Sequence, residues 1–255
     1  MTTTAQLVVT KLEKGVAVLE LNDPSRRNAL SVELSRALVE AVASVLAEGA
    51  GAIVLTAAPP VFSAGGDIDS LTRTPVPFDA LYEGFLALAD APVPTLAVVD
   101  GPAIGAGVNF ALACDVVIAT PRAIFDPRFI DVGMHPGGGH LWRLRHRVGS
   151  QTATAMVLLG ATLTGEEAVS HGLAWQCLPS EDARRAAIEL AARAVARDQP
   201  LMRRTKQTLR DGVSITCSSE AVAAERDAQE WAVSRPEFRQ HIERIRQRLA
   251  HRSVR

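Results

Sequence analysis

Several things are scarce in this sequence. It holds three cysteines, Cys114, Cys177 and Cys217, an odd and widely spaced set without a Cys-x-x-Cys pair. That argues against a disulfide framework or a thiolate metal site, and each cysteine reads instead as a small buried hydrophobe. Lysine is confined to Lys11, Lys14 and Lys206, and arginine carries the remaining positive charge. The formal net charge is −1, so no bulk field draws the chain to nucleic acid or to an anionic membrane. No apolar run approaches the roughly 20 residues that cross a bilayer, and no charged start followed by an apolar run marks a signal segment. The expectation is a cytoplasmic protein with no nucleic-acid and no membrane partner.

What is present suffices for a large core. The 255 residues are 47% hydrophobic and 22% charged, ordinary values for a globular chain. Leu7 to Lys11 and Val16 to Leu21 are short apolar or β-branched runs around Lys14-Gly15, a hairpin-like pair. Ser31 is placed to cap a helix with Leu34, Leu38, Val42 and Val45 on one face, ending at Gly49. Ala52 to Thr56, Thr95 to Val99 and Val116 to Ala119 read as buried strands. The polar stretch at 69–78, with Pro75 and Pro77, reads as a mobile loop. Thr164 and Glu167 form a Thr-x-x-Glu capping box, and Ser180 is expected to cap a long Ala-rich helix. From Gln199 onward only helices are expected. Strands and helices alternate first and helices then accumulate, which predicts an α/β core over residues 1–198 and a helical region over 199–255.

Two strand-to-helix turns stand out. The first is Val61-Phe62-Ser63-Ala64-Gly65-Gly66-Asp67-Ile68, where adjacent glycines let the backbone approach a ligand and Asp67 can accept neighbouring N–H groups. Taken alone, it reads first as a tight connection without a ligand. The second runs from Asp100 through Gly101, Gly105 and Gly107 to Asn109. It fails as a dinucleotide fingerprint, because the third glycine is missing, and as a phosphate-binding loop, because no Gly-Lys-Ser/Thr follows. What remains is a helix start with an N–H free to face a developing anion.

Together the two turns resemble the paired backbone motifs of the crotonase (enoyl-CoA hydratase/isomerase) superfamily. The resemblance takes in Arg26-Arg27-Asn28-Ala29-Leu30, Phe62 to Ile68 and Gly101 to Gly107. It continues through Cys114-Asp115, Phe125, Gly133, Pro136-Gly137-Gly138-Gly139 and Leu163 to Ala168, in the family's order and spacing. It implies a mixed α/β spiral of β-β-α units whose helical C-terminal region supports a homotrimer or a dimer of trimers. It also implies an acyl-CoA ligand, with coenzyme A present as part of the substrate and no separate cofactor or metal. The Gly66 and Ala106 N–H groups would hold the thioester oxygen as it becomes an enolate. CoA would run past Arg26, Ala29, Ala64, Gly65, Asp67 and Ile68, with Ile104 and Phe129 against the substrate.

The family's acid/base pair is another matter. Hydratases of this type place one glutamate two residues after the last glycine of the second turn, where this chain has Asn109. The other belongs four residues after Phe125, where Phe129 stands. Asn109 can hydrogen-bond a water or a carbonyl but is no base near neutral pH. Asp131 and His135 are the nearest substitutes. In an extended segment Asp131 would point to the same side as Phe129, and an imidazole suits proton transfer. The simpler readings are a salt bridge from Asp131 to Arg128 or to an arginine of the next helix, and a packed or surface His135. His140 is expected to help helix packing. Tyr82, Phe85, Leu86 and Leu88 read as core, with a secondary reading as an acyl-pocket wall. The Arg-rich C-terminus, Arg244 to Arg255, reads as a solvated helix face.

The sequence therefore predicts a family enzyme acting on CoA thioesters through an enolate. Decarboxylation, thioester hydrolysis and acyl-CoA binding without turnover remain open.

Overall fold

A computed structural model of the chain describes residues 6–72, 75 and 77–252, with side chains to residue 249. Residues 73, 74 and 76 of the expected loop, and Arg255 of the basic C-terminus, lie outside the described residues.

The chain opens with β1 (Val8–Glu13) and β2 (Val16–Leu21), an antiparallel hairpin in register Glu13↔Val16. Lys14 and Gly15 both hold positive φ, 52° and 80°. Two left-handed residues twist a two-residue loop in the sense that right-twisted strands require. Helix α1 (Val32–Ala47) follows, and its first turn is closed by Ser31 Oγ accepting from Leu34 N–H at 3.1 Å. Strand β3 (Ala52–Ala57) leads to the single-turn α2 (Ile68–Leu71) and to α3 (Phe78–Asp90). Helical structure therefore occupies both ends of the segment expected to be a loop.

The remaining core elements are β4 (Thr95–Val99), β5 (Pro102–Ile104), α4 (Gly107–Ala113), β6 (Val116–Ala119), β7 (Ile124–Asp126), α5 (His140–Leu158), β8 (Leu163–Thr164), α6 (Gly165–Ser170), β9 (Gln176–Cys177) and α7 (Ser180–Val195). Six strands form a sheet in the order β1-β2-β3-β4-β6-β9, parallel except for the opening hairpin. The strands β5-β7-β8 form a second, smaller sheet.

Parallel strands are covered on both faces, which is why β3 and β4 read as unbroken apolar runs. Successive side chains then serve different cores. Leu19, Leu21, Ile53, Leu55, Ala97 and Val99 join the larger cluster with α1 and α3. Val16, Val18, Val54, Leu96, Val98 and Ile118 face the other way, onto the alanine stripe Ala183, Ala187 and Ala191 of α7. Helices α1 and α3 approach closely because Gly84 lies against Ser35, where an added Cβ would meet Ser35 Cα and O at 2.8 Å. The Gly84 N–H donates to Ser35 Oγ at 2.8 Å.

Two expectations need correction. Ser180 does not cap α7; it is the helix's first residue, and its hydroxyl donates instead to Asp100 Oδ1 at 2.9 Å, a tertiary acceptor that a local pattern does not reveal. Cys217 is exposed, while Cys114 is buried and Cys177 half-buried. The Thr164–Glu167 capping box forms with both of its bonds, at 3.2 and 2.8 Å.

The chain divides into two compact units, Met1–Arg197 and Asp198–Arg255. The second contains α8 (Gln199–Asp211), α9 (Ser218–Ser234) and α10 (Pro236–Arg252). Asp198 caps α8 through Leu201 N–H and pairs with Arg235 at 2.8 Å, and Trp231 lies 4.8 Å from Arg204 and 4.9 Å from Arg235.

Candidate functional site

The two glycine-containing turns are held edge to edge by backbone hydrogen bonds. Asn28, buried with φ 53°, is their anchor. Its amide donates to the Ala58 and Val61 carbonyls at 2.8 and 3.0 Å, and its Oδ1 accepts from Asp23 N–H at 2.9 Å. Its own carbonyl receives the Ser63 hydroxyl at 2.7 Å. Leu30 N–H then donates to Gly65 O at 2.6 Å and Asp67 N–H to Leu30 O at 2.9 Å, a parallel bridge that brackets Gly66. In such a bridge the N–H of the bracketed residue points away from its partner strand. The Gly66 N–H accordingly makes no hydrogen bond among the described residues.

The second turn docks on the first through Ile104 N–H to Ser63 O at 2.9 Å, and Gly105 N–H donates to Asp126 O at 2.7 Å. Ala106, at φ −60° and ψ −18°, is the N-cap of α4, and its N–H is one of the donors that a helix start leaves without an intrahelical acceptor. Glycine is required where the turns touch. A Cβ on Gly107 would sit 2.6 Å from Ser63 O, and one on Gly65, at φ 99°, 2.9 Å from Ile104 O.

Between the turns lies a cavity of about 400 Å³. Of the residues singled out by sequence, Gly66, Ala106, Asn109 and His135 line it, as do Ala64, Gly65, Ile68, Ile104 and Phe129. Arg26, Ala29, Asp67 and Asp131 do not. Arg26 bonds Asp23 Oδ2 at 2.7 Å, Ala29 is buried, and Asp67 caps α2 by accepting from Ser70 N–H at 3.0 Å.

The segment carrying Asp131 is not extended. It is a 3-10 turn, Ile130–Val132, which turns the exposed Asp131 out of the wall. Nor does Asp131 pair directly with Arg128; that guanidinium is bound by Asp126, two residues away. His135 is exposed at the cavity, with Nδ1 2.7 Å from Pro136 O.

The rest of the wall is mostly apolar, including Leu30, Leu71, Leu81, Val132 and Met134. Its titratable side chains are Tyr82, Arg128 and His135, and no carboxylate lines it among the described residues. Burial pushes the Tyr82 phenol up, Asp79 adds to the shift, and the Gly138 N–H opposes it. Tyr82 and Phe78 line the cavity, whereas Phe85 and Leu88 are fully buried core, so this helix serves both purposes.

One side chain that sequence reasoning set aside proves central. His140, 1% exposed, places Nδ1 2.8 Å from Asn109 Oδ1, while Asn109 Nδ2 donates to Gly137 O at 3.2 Å. Burial, followed by the Arg143 charge, lowers the imidazole to about 4, so it is neutral near neutral pH. Its ring meets Phe129 edge-on, with centroids 4.9 Å apart. The pair is separated by 31 residues, and nothing local to His140 announces its partner.

No group of three or more His, Cys, Asp or Glu side chains is gathered for a metal ion among the described residues. Nor is any described helix long and apolar enough to cross a membrane.

Known proteins share both the sequence and this architecture. The family model for enoyl-CoA hydratase/isomerase matches residues 11–249. A Mycobacterium tuberculosis H37Rv protein named "Probable enoyl-CoA hydratase EchA14" is 42% identical over 211 residues, covering 80% of this chain and 81% of its own. The 2,3-dehydroadipyl-CoA hydratase of Escherichia coli K12 is 33% identical over 216 residues, 83% of this chain and 84% of its own. A Thermobifida fusca YX protein solved in complex with CoA superimposes with a TM-score of 0.82 at 27% identity, over 90% of this chain and 94% of that one. With this sequence match and this fold, the chain belongs to the enoyl-CoA hydratase/isomerase family of the crotonase superfamily.

Proposed function

We propose that the cavity binds an acyl-CoA thioester with its carbonyl oxygen between the Gly66 and Ala106 N–H groups, and that these stabilise an enolate. The observation that carries this reading is a pair of backbone donors, without hydrogen-bond partners among the described residues, in the wall of one apolar cavity. Negative charge develops on the thioester oxygen when a proton leaves the α-carbon, when an α-carboxylate departs as carbon dioxide and leaves its bonding pair behind, or when a nucleophile adds to a conjugated double bond. Donors already oriented by the backbone need no reorganisation to meet it, and removing one from such a hole typically costs about 2.7–4 kcal/mol in the barrier.

The CoA portion runs past Arg26, Ala29 and Asp67, beyond the cavity itself. The helical unit from Asp198 onward serves assembly into a trimer or a dimer of trimers, and the protein works in the cytoplasm.

The reaction class follows from what the wall contains. With Asn109 and Phe129 at the two glutamate positions, and Asp131 turned out, His135 is the one imidazole in the wall among the described residues and takes the part of proton-transfer group. Enolate chemistry that needs little base, decarboxylation above all, suits this wall better than water addition. A second reading, acyl-CoA binding without turnover, is favoured by the lack of a lining carboxylate among the described residues.

Incubation with crotonyl-CoA and a panel of acyl-CoA thioesters, followed by calorimetry for binding and mass spectrometry for products, tests both. Turnover abolished by His135→Ala supports the enzyme reading. Binding without product from any thioester selects the second, and absence of binding rejects the CoA site.

A further inference from the structure

The Asn109–His140 pair has a fixed polarity. The Gly137 carbonyl can only accept, so the Asn109 amide nitrogen must face it and Oδ1 must face His140. His140 Nδ1 therefore carries the proton and donates at 2.8 Å. Reversing the carboxamide would set C=O against C=O at Gly137, losing that bond, and would require the other imidazole tautomer, with its Nε2–H buried without an acceptor. His140 Nε2 is left as a buried acceptor with no protein partner among the described residues.

Asn109 thus turns its Oδ1 toward His140 and gives one amide hydrogen to Gly137. What its amide nitrogen has left for the cavity is its second hydrogen, a donor. A carboxylate here would offer the opposite polarity. The position is close to the proposed thioester pocket, because Asn109 N–H bonds Ala106 O at 3.0 Å, one helical turn from the Ala106 donor. An alkyl chain would leave that buried amide hydrogen unpaired, and sites built to donate to a ligand oxygen discriminate strongly against ligands lacking it.

We infer that His140 is a positioning residue that holds Asn109 as a hydrogen-bond donor. The cavity then prefers acyl-CoA thioesters with an acceptor oxygen near the thioester carbonyl, a 3-oxoacyl chain being the simplest, over saturated hydrocarbon chains. This inference rests on the acyl-CoA reading above.

The test is calorimetric binding of free CoA, butyryl-CoA and acetoacetyl-CoA to the wild type and two variants. His140→Leu removes the Nδ1 donor; His140→Asn returns an N–H to the same place. The expected result is a preference for acetoacetyl-CoA over butyryl-CoA of about tenfold or more in the wild type. That preference should collapse in His140→Leu and return in His140→Asn, with free CoA binding all three alike. Equal affinity for the two thioesters in the wild type, or a preference that survives in His140→Leu, overturns the inference and leaves the acyl-CoA reading standing. Failure of free CoA and both thioesters to bind overturns both. Should His140→Leu not fold, nitrogen NMR of wild-type protein labelled at histidine decides the polarity. A proton on Nδ1 at neutral pH is expected, and a proton on Nε2 alone overturns the assignment.

Discussion

The two halves of the cavity are built differently. One half is backbone: Gly66 and Ala106 present N–H groups whose direction is set by the hydrogen bonds of neighbouring residues and by glycines that admit no Cβ. The other half is side chain: Asn109 and Phe129 line it, and the buried His140, outside the lining, bonds the first and meets the second edge-on. Backbone donors survive most substitutions, because any residue except proline supplies them. Side-chain chemistry can be exchanged one residue at a time on the same frame. This chain is consistent with that pattern: its two glycine-containing turns are in place, while an amide at Asn109 and a phenyl at Phe129 stand where the family resemblance leads one to expect carboxylates.

The sharpest way to break the comparison is to remove a backbone donor without moving its neighbours. Ala106→Pro is suited to this, since φ is already −60° and proline there deletes only an N–H that has no intrahelical partner. The variant should lose about 10²–10³ in turnover. Steady-state rates on the best thioester, beside an unchanged circular dichroism spectrum, check it.

Next is the anchor of the frame. Asn28→Ala removes the bonds to Ala58, Val61 and Asp23, the first and last of them buried, at a left-handed position that alanine also disfavours. A loss of about 3 kcal/mol is expected in urea unfolding.

The side-chain half should instead show itself in pH. His140 titrates near 4 when folded, against 6.5 when unfolded. As pH falls below about 6.5 the unfolded chain takes up the proton first, so stability falls with pH through this window, by about 2 kcal/mol by pH 5. His140→Asn should lack this component, and the difference between the two proteins' unfolding free energies at pH 7 and pH 5 measures it. The smallest effect belongs to Tyr82→Phe. Its hydroxyl lies in the cavity wall on a partly exposed side chain, and a change within about 1 kcal/mol in thermal stability is expected.

Much of the frame was legible beforehand. The β2, β4 and β6 runs, the Ser31 cap and the Thr164 capping box depend on periodicity and on bonds spanning a few residues. The glycines at 65, 66, 105 and 107 were legible as turn residues for the same reason. Other assignments failed where a distant group outcompeted a near one. Ser180 had a plausible local role as a cap, but Asp100, 80 residues away, takes its hydroxyl. Asp131 looked poised because alternation was assumed, and a 3-10 turn broke it.

The sequence by itself determined the family, the α/β alternation and the residue types at positions 109 and 129, because these reside in local spacing and in residue type. Only the tertiary structure decided which of the candidates share the cavity, and that Asn109 is held by His140 with its Oδ1 turned toward the imidazole. The physical reason is that hydrogen-bond polarity in a buried pair depends on every partner at once. Here those partners come from α4, from the glycine run before α5 and from α5 itself, elements that meet only in the folded chain.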